Sequence, residues 1–430
     1  MKDLTIICGR NGVGKTYLSY SYYMLVNSLR SEIFKNIIIP KDLNSSVSQI
    51  ASTRSPARKT LEYDFDEFNL GKTAILNALE AASDNDSIYE SLDLSMSHDM
   101  CITGSMGDDF FTKIKSSEAD ISLKGTVDIR VAKPKDTNTI RVVLSKESEE
   151  ELDFDSIVND LNFIVGIFFL EHIAHLSQFP ITSERTGISL FYEDLTLNNK
   201  HIDGEGVNKK AYSQPIETNI RNMRSMKNRK HVYNDWMYKQ KPAFQKQVSD
   251  LLGGNYRIED NSLFFQPKGK DVLVPLRSSS GASKSLMLLD YFMYVYESFG
   301  SLIIDEPELN LHLDSQKEVA RILCSIANMG IRVVVTTHSD HFIREINNLI
   351  MLSSPKIPEH QKQEIRKKAG INTKSVISPE KVSTVVLSAH ERQAYKMKIS
   401  EYGIDLKLFN DEIMASNDIS NELMMAIYEA

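Results

Sequence analysis

The segment Gly9-Arg10-Asn11-Gly12-Val13-Gly14-Lys15-Thr16 fits the pattern G-x-x-x-x-G-K-[ST]. In such a loop backbone N–H groups cradle phosphates, the lysine reaches the terminal phosphate oxygens, and the Ser/Thr hydroxyl holds Mg²⁺. The flanks suit this: Leu4-Thr5-Ile6-Ile7-Cys8 reads as a short buried strand, and Tyr17 to Leu29 reads as a helix whose N-terminus points at the anion. Gly9, Asn11, Gly12, Val13, Gly14, Lys15 and Thr16 are therefore the expected nucleotide contacts, with Thr16 also a metal ligand. A second G-K-T, Gly71-Lys72-Thr73, has Asp66 where the leading glycine would stand, so it lacks the φ > 0 residue that wraps a phosphate. It reads as the start of an ordinary helix through Leu79.

A chain of 430 residues with 41% hydrophobic content can bury a large core, as two or three domains or as one enlarged by insertions. The net charge of −8 argues against a generally basic nucleic-acid coat and turns attention to local patches. Cys8, Cys101 and Cys324 are scattered without C-x-x-C spacing, so neither a disulfide framework nor a zinc site is indicated and a reducing cytoplasm is the expected home. No signal peptide reads ahead of the first strand. The longest apolar run, Leu161 to Leu170, falls short of the ~20 residues a bilayer needs and lies between Asp160 and Glu171. It is expected to be a buried core helix, with no membrane contact.

Along the chain, Asn36 to Pro40 reads as a buried strand, Asp42 to Thr60 as a polar serine-rich loop, Asp64 to Ala82 as helical and Ser83 to Gly107 as irregular. Thr126–Val131 and Thr139–Leu144 alternate apolar and polar residues about Lys133-Pro134-Lys135-Asp136, which predicts an antiparallel hairpin. An acidic run, Glu147 to Asp155, precedes a helix through about Leu176. His172 and His175 share a face of that helix at i, i+3, a metal pair without an evident third ligand.

From Glu205 to Lys246 the basic residues Lys209, Lys210, Arg221, Arg224, Lys227, Arg229, Lys230, Lys239, Lys241 and Lys246 outnumber the acids, and Tyr233, Trp236 and Tyr238 are interleaved. One reading is a solvated helical lever whose long side chains cover apolar surface. The other is a phosphate-tracking face for DNA or RNA, with Arg221, Arg224, Lys227, Arg229 and Lys230 as contacts and a strong salt dependence. Tyr256 to Leu276 reads as a second hairpin around Pro267-Lys268-Gly269-Lys270.

The next stretch can complete a nucleotide site. Ser278-Ser279-Ser280-Gly281-Ala282-Ser283-Lys284 precedes an amphipathic helix through about Phe299, and its serine cap and glycine leave N–H donors for an anion. Ser301 to Glu308 (SLIIDEPE) is an apolar strand ending in paired acids: Asp305 suits Mg²⁺, and Glu306 suits orienting or deprotonating a water. A helix Asp314–Asn328 and a strand Ile331–Thr336 lead to Thr337-His338-Ser339-Asp340, where His338 can donate to a γ-phosphate. Taken singly these pieces are weak, but their order is informative.

The ordered set resembles the ABC-type ATPase domains of the SMC, DNA-repair and OLD families, often grouped as AAA-family ATPases of bacterial anti-phage defence. SSSGASK is similar to their signature motif, shortened and without its second Gly and Gln, while LIIDEPELNLH and TTHSD match their Walker B and switch-histidine segments. Gln178 to Gly187 also resembles a segment of such ATPases, with Arg185 as a candidate nucleotide or partner contact. The likeness covers about residues 1–40 and 256–350.

It implies an α/β P-loop NTPase fold: an ABC-ATPase-like head with a central sheet, an antiparallel β subdomain and an inserted helical lobe. The implied division is an N-terminal part of the head with the β-hairpin subdomain over 1–185, the basic lobe over 186–255, the C-terminal part of the head over 256–350 and an extension for partner docking over 351–430. It also implies an Mg²⁺-dependent ATPase in which two ATPs lie between two heads, giving a homodimer or higher homo-oligomer. Gly9 to Thr16, Asp305, Glu306 and His338 would act in cis, and Ser280 with Gly281 in trans. Two departures stand out: the strands that usually precede the P-loop are missing, and no long heptad coiled coil joins the halves.

Relatives that cut DNA carry a Toprim nuclease after the histidine motif, and residues 351–430 contain no D-x-D. The expectation is an ATP-driven switch controlling a separate effector, a nuclease or toxin. The competing reading is a transporter ATPase subunit, which membrane co-fractionation would discriminate. A GTPase is disfavoured because N-K-x-D is absent, and a small-molecule kinase because the signature and histidine pieces would be unexplained.

Overall fold

A computed structural model of the chain describes residues 2–83, 105–195, 212–226, 242–260, 262–295, 299–388 and 393–405. Its strands, in chain order, are β1 (Leu4–Gly9), β2 (Ala57–Asp64), β3 (Ala119–Leu123), β4 (Asp128–Lys133), β5 (Thr139–Lys146), β6 (Gln178–Ile181), β7 (Gly254–Glu259), β8 (Ser262–Pro267), β9 (Val274–Pro275), β10 (Ser301–Asp305), β11 (Arg332–Thr337), β12 (Val382–Ser388), β13 (Gln393–Met397) and the short pair β14 (Ile399–Ser400) and β15 (Gly403–Ile404). The chain divides into two compact units, one formed by residues 1–20, 179–296 and 302–430, the other by 21–178 and 297–301. These cuts differ from the segment boundaries drawn on the sequence. In particular β12 and β13 join the central sheet.

The first unit carries a six-stranded sheet in the order β13-β12-β1-β11-β10-β6. β1 pairs in parallel with β11 on one side (Ile6 opposite Val335) and with β12 on the other (Ile6 opposite Thr384), and β13 closes that edge antiparallel. Parallel strands covered on both faces read as continuous apolar runs, which is why Leu4, Ile6, Ile7 and Cys8 and all of β10 are buried. Burial pushes the Cys8 thiol up to about 12, so it is an inert core residue. The expected helices are Lys15–Lys35 after β1, Gly281–Val295 ahead of β10 and Leu313–Asn328 after it. The second hairpin is part of a three-stranded sheet: β8 and β9 flank the 267–270 turn, and β7 pairs with β8 through an extra turn at Asp260.

The second unit is built on an antiparallel sheet in the order β2-β5-β4-β3. The predicted hairpin is β4 with β5, and Ile129, Val131, Ile140, Val142 and Leu144 form its buried face. That face belongs to one core with Ile157, Leu161, Ile164, Val165, Phe168 and Phe169 from the helix Phe154–Ile167 and the π-helical turn Phe168–Ile173 that continues it. Together these 20 residues are long and apolar enough to cross a membrane, longer than the run seen in the sequence, and half of the stretch is buried.

Three expectations for this unit are corrected. Asn36–Pro40 forms no strand, because the segment meets the chain near Phe68 through the Ile38 N–H on the Phe68 carbonyl and the Asn69 side-chain amide on the Asn36 carbonyl rather than through a ladder. The supposed loop after it is a helix, Lys41–Ser52, whose Leu43, Val47, Ile50 and Ala51 recur at helical spacing and are all buried. The stretch 64–82 is interrupted: a 3₁₀ turn Phe65–Phe68 ends at Asn69 in the left-handed region (φ 58°), and the helix Lys72–Ala82 then starts at the second G-K-T. Residues 84–104, including most of the irregular segment and Cys101, lie outside the described residues. His172 sits in the π-helical turn while His175 follows it at φ 48°. Among the described residues no group of three or more His, Cys, Asp or Glu could hold a metal.

Candidate nucleotide site

β1 delivers the chain into the glycine-rich loop at Gly9, whose φ is 150° and where a Cβ would lie 2.7 Å from the Leu387 carbonyl oxygen. Only glycine fits so close to β12. Gly12 and Gly14 also have positive φ, and the helix begins at Lys15, with Leu18 N–H on the Gly14 carbonyl. The Lys15 ammonium is held inside the loop, donating to the carbonyls of Gly9 (3.0 Å) and Arg10 (2.9 Å). Strand, loop and helix make this a P-loop NTPase fold.

β10 ends where the helix Lys15–Lys35 starts. The Thr16 hydroxyl lies 2.9 Å from one Asp305 carboxylate oxygen and 3.2 Å from the other. Thr336 Oγ1 on β11 and the Ser183 hydroxyl also donate to this carboxylate. Asp305 is 1% exposed, and burial raises its carboxyl while these hydroxyl donors pull it back. A carboxylate and hydroxyls, oxygen donors confined in a desolvated niche beside the P-loop, fit a small hard cation such as Mg²⁺, and Thr16 and Asp305 are the groups that could hold it.

Glu306 follows in a strained turn. Its φ is 47°, its N–H donates to both the carbonyl and the hydroxyl oxygen of Thr336 at 3.1 Å, and its side chain stays accessible. His338, 45% exposed by side chain, places Nδ1 3.4 Å from Glu306 Oε1 and 3.6 Å from Glu308 Oε1. The turn 305–308 and the turn 337–339 thus bring an acid and an imidazole together at the ends of adjacent strands.

Arg185 overturns its sequence reading. It is 1% exposed, and its guanidinium donates to the carbonyls of Thr182 (3.2 Å), Asp305 (2.8 Å), Glu306 (2.6 Å) and Ser285 (3.1 Å) and to Ser285 Oγ (2.9 Å). Burial lowers it to about 10 against the pull of Asp305, Glu308 and Glu306. It is an internal brace for the acidic turn, with no face left for a ligand. Ser280 and Gly281 are exposed at the start of their helix, where Ser280 Oγ caps Ser283 N–H at 3.1 Å.

In the basic segment, Arg221 is exposed and 3.8 Å from Glu217, whereas Arg224 donates to the carbonyls of Tyr192 (2.8 Å), Glu193 (3.3 Å) and Leu195. Lys227, Arg229 and Lys230 lie outside the described residues. The sequence reading missed Ser183, Thr336 and Glu308. Their signal was polar residues at strand ends next to recognised motifs, which is common to many turns.

Residues 213–343 match the AAA ATPase domain family, a stretch that includes Ser280, Gly281, Asp305, Glu306 and His338. No curated protein matches the sequence. Among solved structures, the chain is similar to an SMC head domain from Thermotoga maritima, with 11% identity, 93% of this chain and 91% of that chain covered, and a TM-score of 0.30. It is also similar to an Smc head domain with an extended coiled coil bound to the C-terminal domain of ScpA, derived from Pyrococcus furiosus, with 11% identity, 97% and 93% coverage, and a TM-score of 0.33. Likenesses so distant add nothing to what the site's own geometry supports.

Proposed function

We propose that this P-loop NTPase binds and hydrolyses ATP, closes as a homodimer or higher oligomer around it, and thereby controls a separate effector chain in bacterial anti-phage defence or DNA maintenance. The observation that carries the reading is the meeting of Thr16, Asp305 and Thr336 beside the P-loop, with Glu306 and His338 3.4 Å apart on the adjoining turns. Mg²⁺ held by Thr16 and Asp305 would neutralise charge on the terminal phosphates. Lys15, released from the Gly9 and Arg10 carbonyls, binds phosphate oxygens in their place. Glu306 takes a proton from the attacking water, and His338 steadies charge developing on the γ-phosphate.

Ser280 and Gly281, exposed at a helix start, act on the nucleotide of a second copy. In this reading the effector is a nuclease or toxin on another chain. A cytoplasmic setting without membrane contact follows from the same reading. A DNA or RNA contact, if the basic segment makes one, rests on Arg221 with Lys227, Arg229 and Lys230, because the Arg224 guanidinium is held by carbonyls.

Glu306→Gln tests the whole scheme. It is expected to keep ATP binding while losing ~10²–10⁴-fold in turnover, the scale for a positioned general base. By light scattering its mass should grow on adding ATP and Mg²⁺. Near-normal hydrolysis would reassign the base, and a particle that stays monomeric with ATP would remove the trans role of Ser280 and Gly281.

A further inference from the structure

Glu308 stands two residues beyond Glu306 and has no role in the scheme above. It is 6% exposed, and one of its carboxylate oxygens collects three donors from consecutive residues: Thr337 Oγ1 at 2.7 Å, His338 N–H at 3.0 Å and Ser339 N–H at 3.2 Å. The other oxygen, Oε2, is buried with no hydrogen-bond partner. A buried carboxylate so unevenly satisfied is costly, and a side chain serving only to fill space would be replaced without loss by an apolar one.

What offsets the cost is position. The acceptor lies at the start of the helix Asp340–Met351, whose N-cap is Ser339 and whose dipole favours an anion there. Ser339 is held from its other side as well, its hydroxyl donating to Gln316 Oε1 at 2.7 Å.

The consequence concerns His338. Its own N–H would otherwise be an open donor at a strand end, and Glu308 takes it at 3.0 Å, while the Ser339 N–H is shared between Glu308 and Thr337 Oγ1 at 3.0 Å. The turn can then offer an anion only its imidazole, whose Nδ1 is 3.6 Å from the same Glu308 oxygen. On the acidic side the turn is stiff. Glu306 is locked by two bonds to Thr336, Pro307 has a fixed φ, and the Leu309 carbonyl accepts the Ser285 hydroxyl at 2.9 Å. Glu308 therefore transfers the rigidity of the 305–309 turn to the 337–339 turn and sets the 3.4 Å separation of Glu306 from His338.

We infer that Glu308 is a positioning residue that clamps the His338 turn to the Glu306 turn, so that base and imidazole meet the terminal phosphate as one rigid unit. This rests on the hydrolytic reading of the same site.

The test compares Glu308→Ala with Glu308→Gln in the full chain. Amide hydrogen exchange over residues 336–342, followed by mass spectrometry without nucleotide, should quicken ~10–100-fold in the alanine variant, as the His338 N–H loses its acceptor and the Ser339 N–H keeps only Thr337 Oγ1. ATP turnover should fall ~10–100-fold while affinity for a fluorescent ATP analogue stays within about two-fold, the split expected of an interaction used in the transition state. The glutamine variant keeps an acceptor oxygen and should recover most of both. Unchanged exchange in Glu308→Ala would overturn the clamp. Affinity falling in step with turnover, or no recovery by glutamine, would make Glu308 a general support of the pocket and overturn its positioning role. If the unsubstituted protein shows no ATP turnover, the hydrolytic reading fails by itself, and the exchange comparison still decides whether Glu308 holds the turn.

Discussion

Lys15 in one unit and Lys133 and Lys146 in the other are all buried ammonium groups that donate to backbone carbonyls. The acceptors differ. Lys15 holds Gly9 and Arg10, carbonyls of the glycine-rich loop in which it sits. Lys133 holds the carbonyls of Lys115, Ser117 and Pro134, and Lys146 those of Ile50, Thr53 and Glu150. Each of these two thereby closes the C-terminal end of a helix, Asp108–Ser116 or Lys41–Ser52, where orphan carbonyls favour a cation. A loop lysine can exchange its acceptors for phosphate oxygens. A lysine that binds helix ends to a strand cannot leave without exposing those ends. Burial of a cation is thus no mark of a site, and the identity of its acceptors is.

The comparison can be broken at both ends. Lys15→Ala is expected to weaken ATP binding ~10²–10³-fold, the loss of charge-assisted bonds worth about 3–4 kcal/mol, with little change in the denaturation midpoint. A fluorescent-nucleotide titration that gave unchanged affinity would remove the P-loop assignment. Lys146→Met should do the reverse: ATP affinity unchanged, and stability to chemical denaturation lower by about 2–3 kcal/mol for stranded buried carbonyls. If it cost affinity as much as Lys15→Ala does, the distinction between the two kinds of lysine would be lost.

A smaller effect sharpens the contrast within the nucleotide-binding unit. Asp290, in the helix Gly281–Val295, is buried, and burial pushes its carboxyl up to about 7 from an ordinary 3.8. The folded state then holds this proton more tightly than the unfolded chain. Its contribution to stability is greatest below pH 3.8, falls as pH rises toward 7 and stays low above that. Asp290→Asn should therefore flatten this part of the stability profile and add about 1–2 kcal/mol at pH 8, after allowing for burial of an amide. Equal stability profiles of the two proteins between pH 4 and 8 would show that Asp290 keeps a partner for its charge.

Local reading succeeded where one segment carries its own geometry. The P-loop needs glycines at fixed offsets, β10 is an unbroken apolar run before Asp305, and the second G-K-T begins only a helix. It failed where a segment's partner decides its state. Asn36–Pro40 looks like a strand, but among the described residues no strand pairs with it. Lys41–Ser52 looks like a loop because its serines dominate, although Leu43, Val47 and Ile50 held a helical spacing that could have been found. Arg185 reads as a ligand contact through the resemblance of its 178–187 segment, and carbonyls that claim it lie a hundred or more residues away, at Ser285, Asp305 and Glu306.

The sequence by itself determined the strand–loop–helix that cradles phosphate and the chemical kinds of group that accompany it: a hydroxyl at Thr16, acids at Asp305 and Glu306, an imidazole at His338. These follow from bonding rules that act over a few residues. Tertiary structure decided which of the remaining charges serve the site and which serve the fold. That choice depends on where carbonyls and carboxylates from distant segments converge, as at Arg185, Glu308 and Lys146. Convergence is set by the register of parallel strands across the sheet and by the packing of helices at its ends, and no single stretch of chain encodes it.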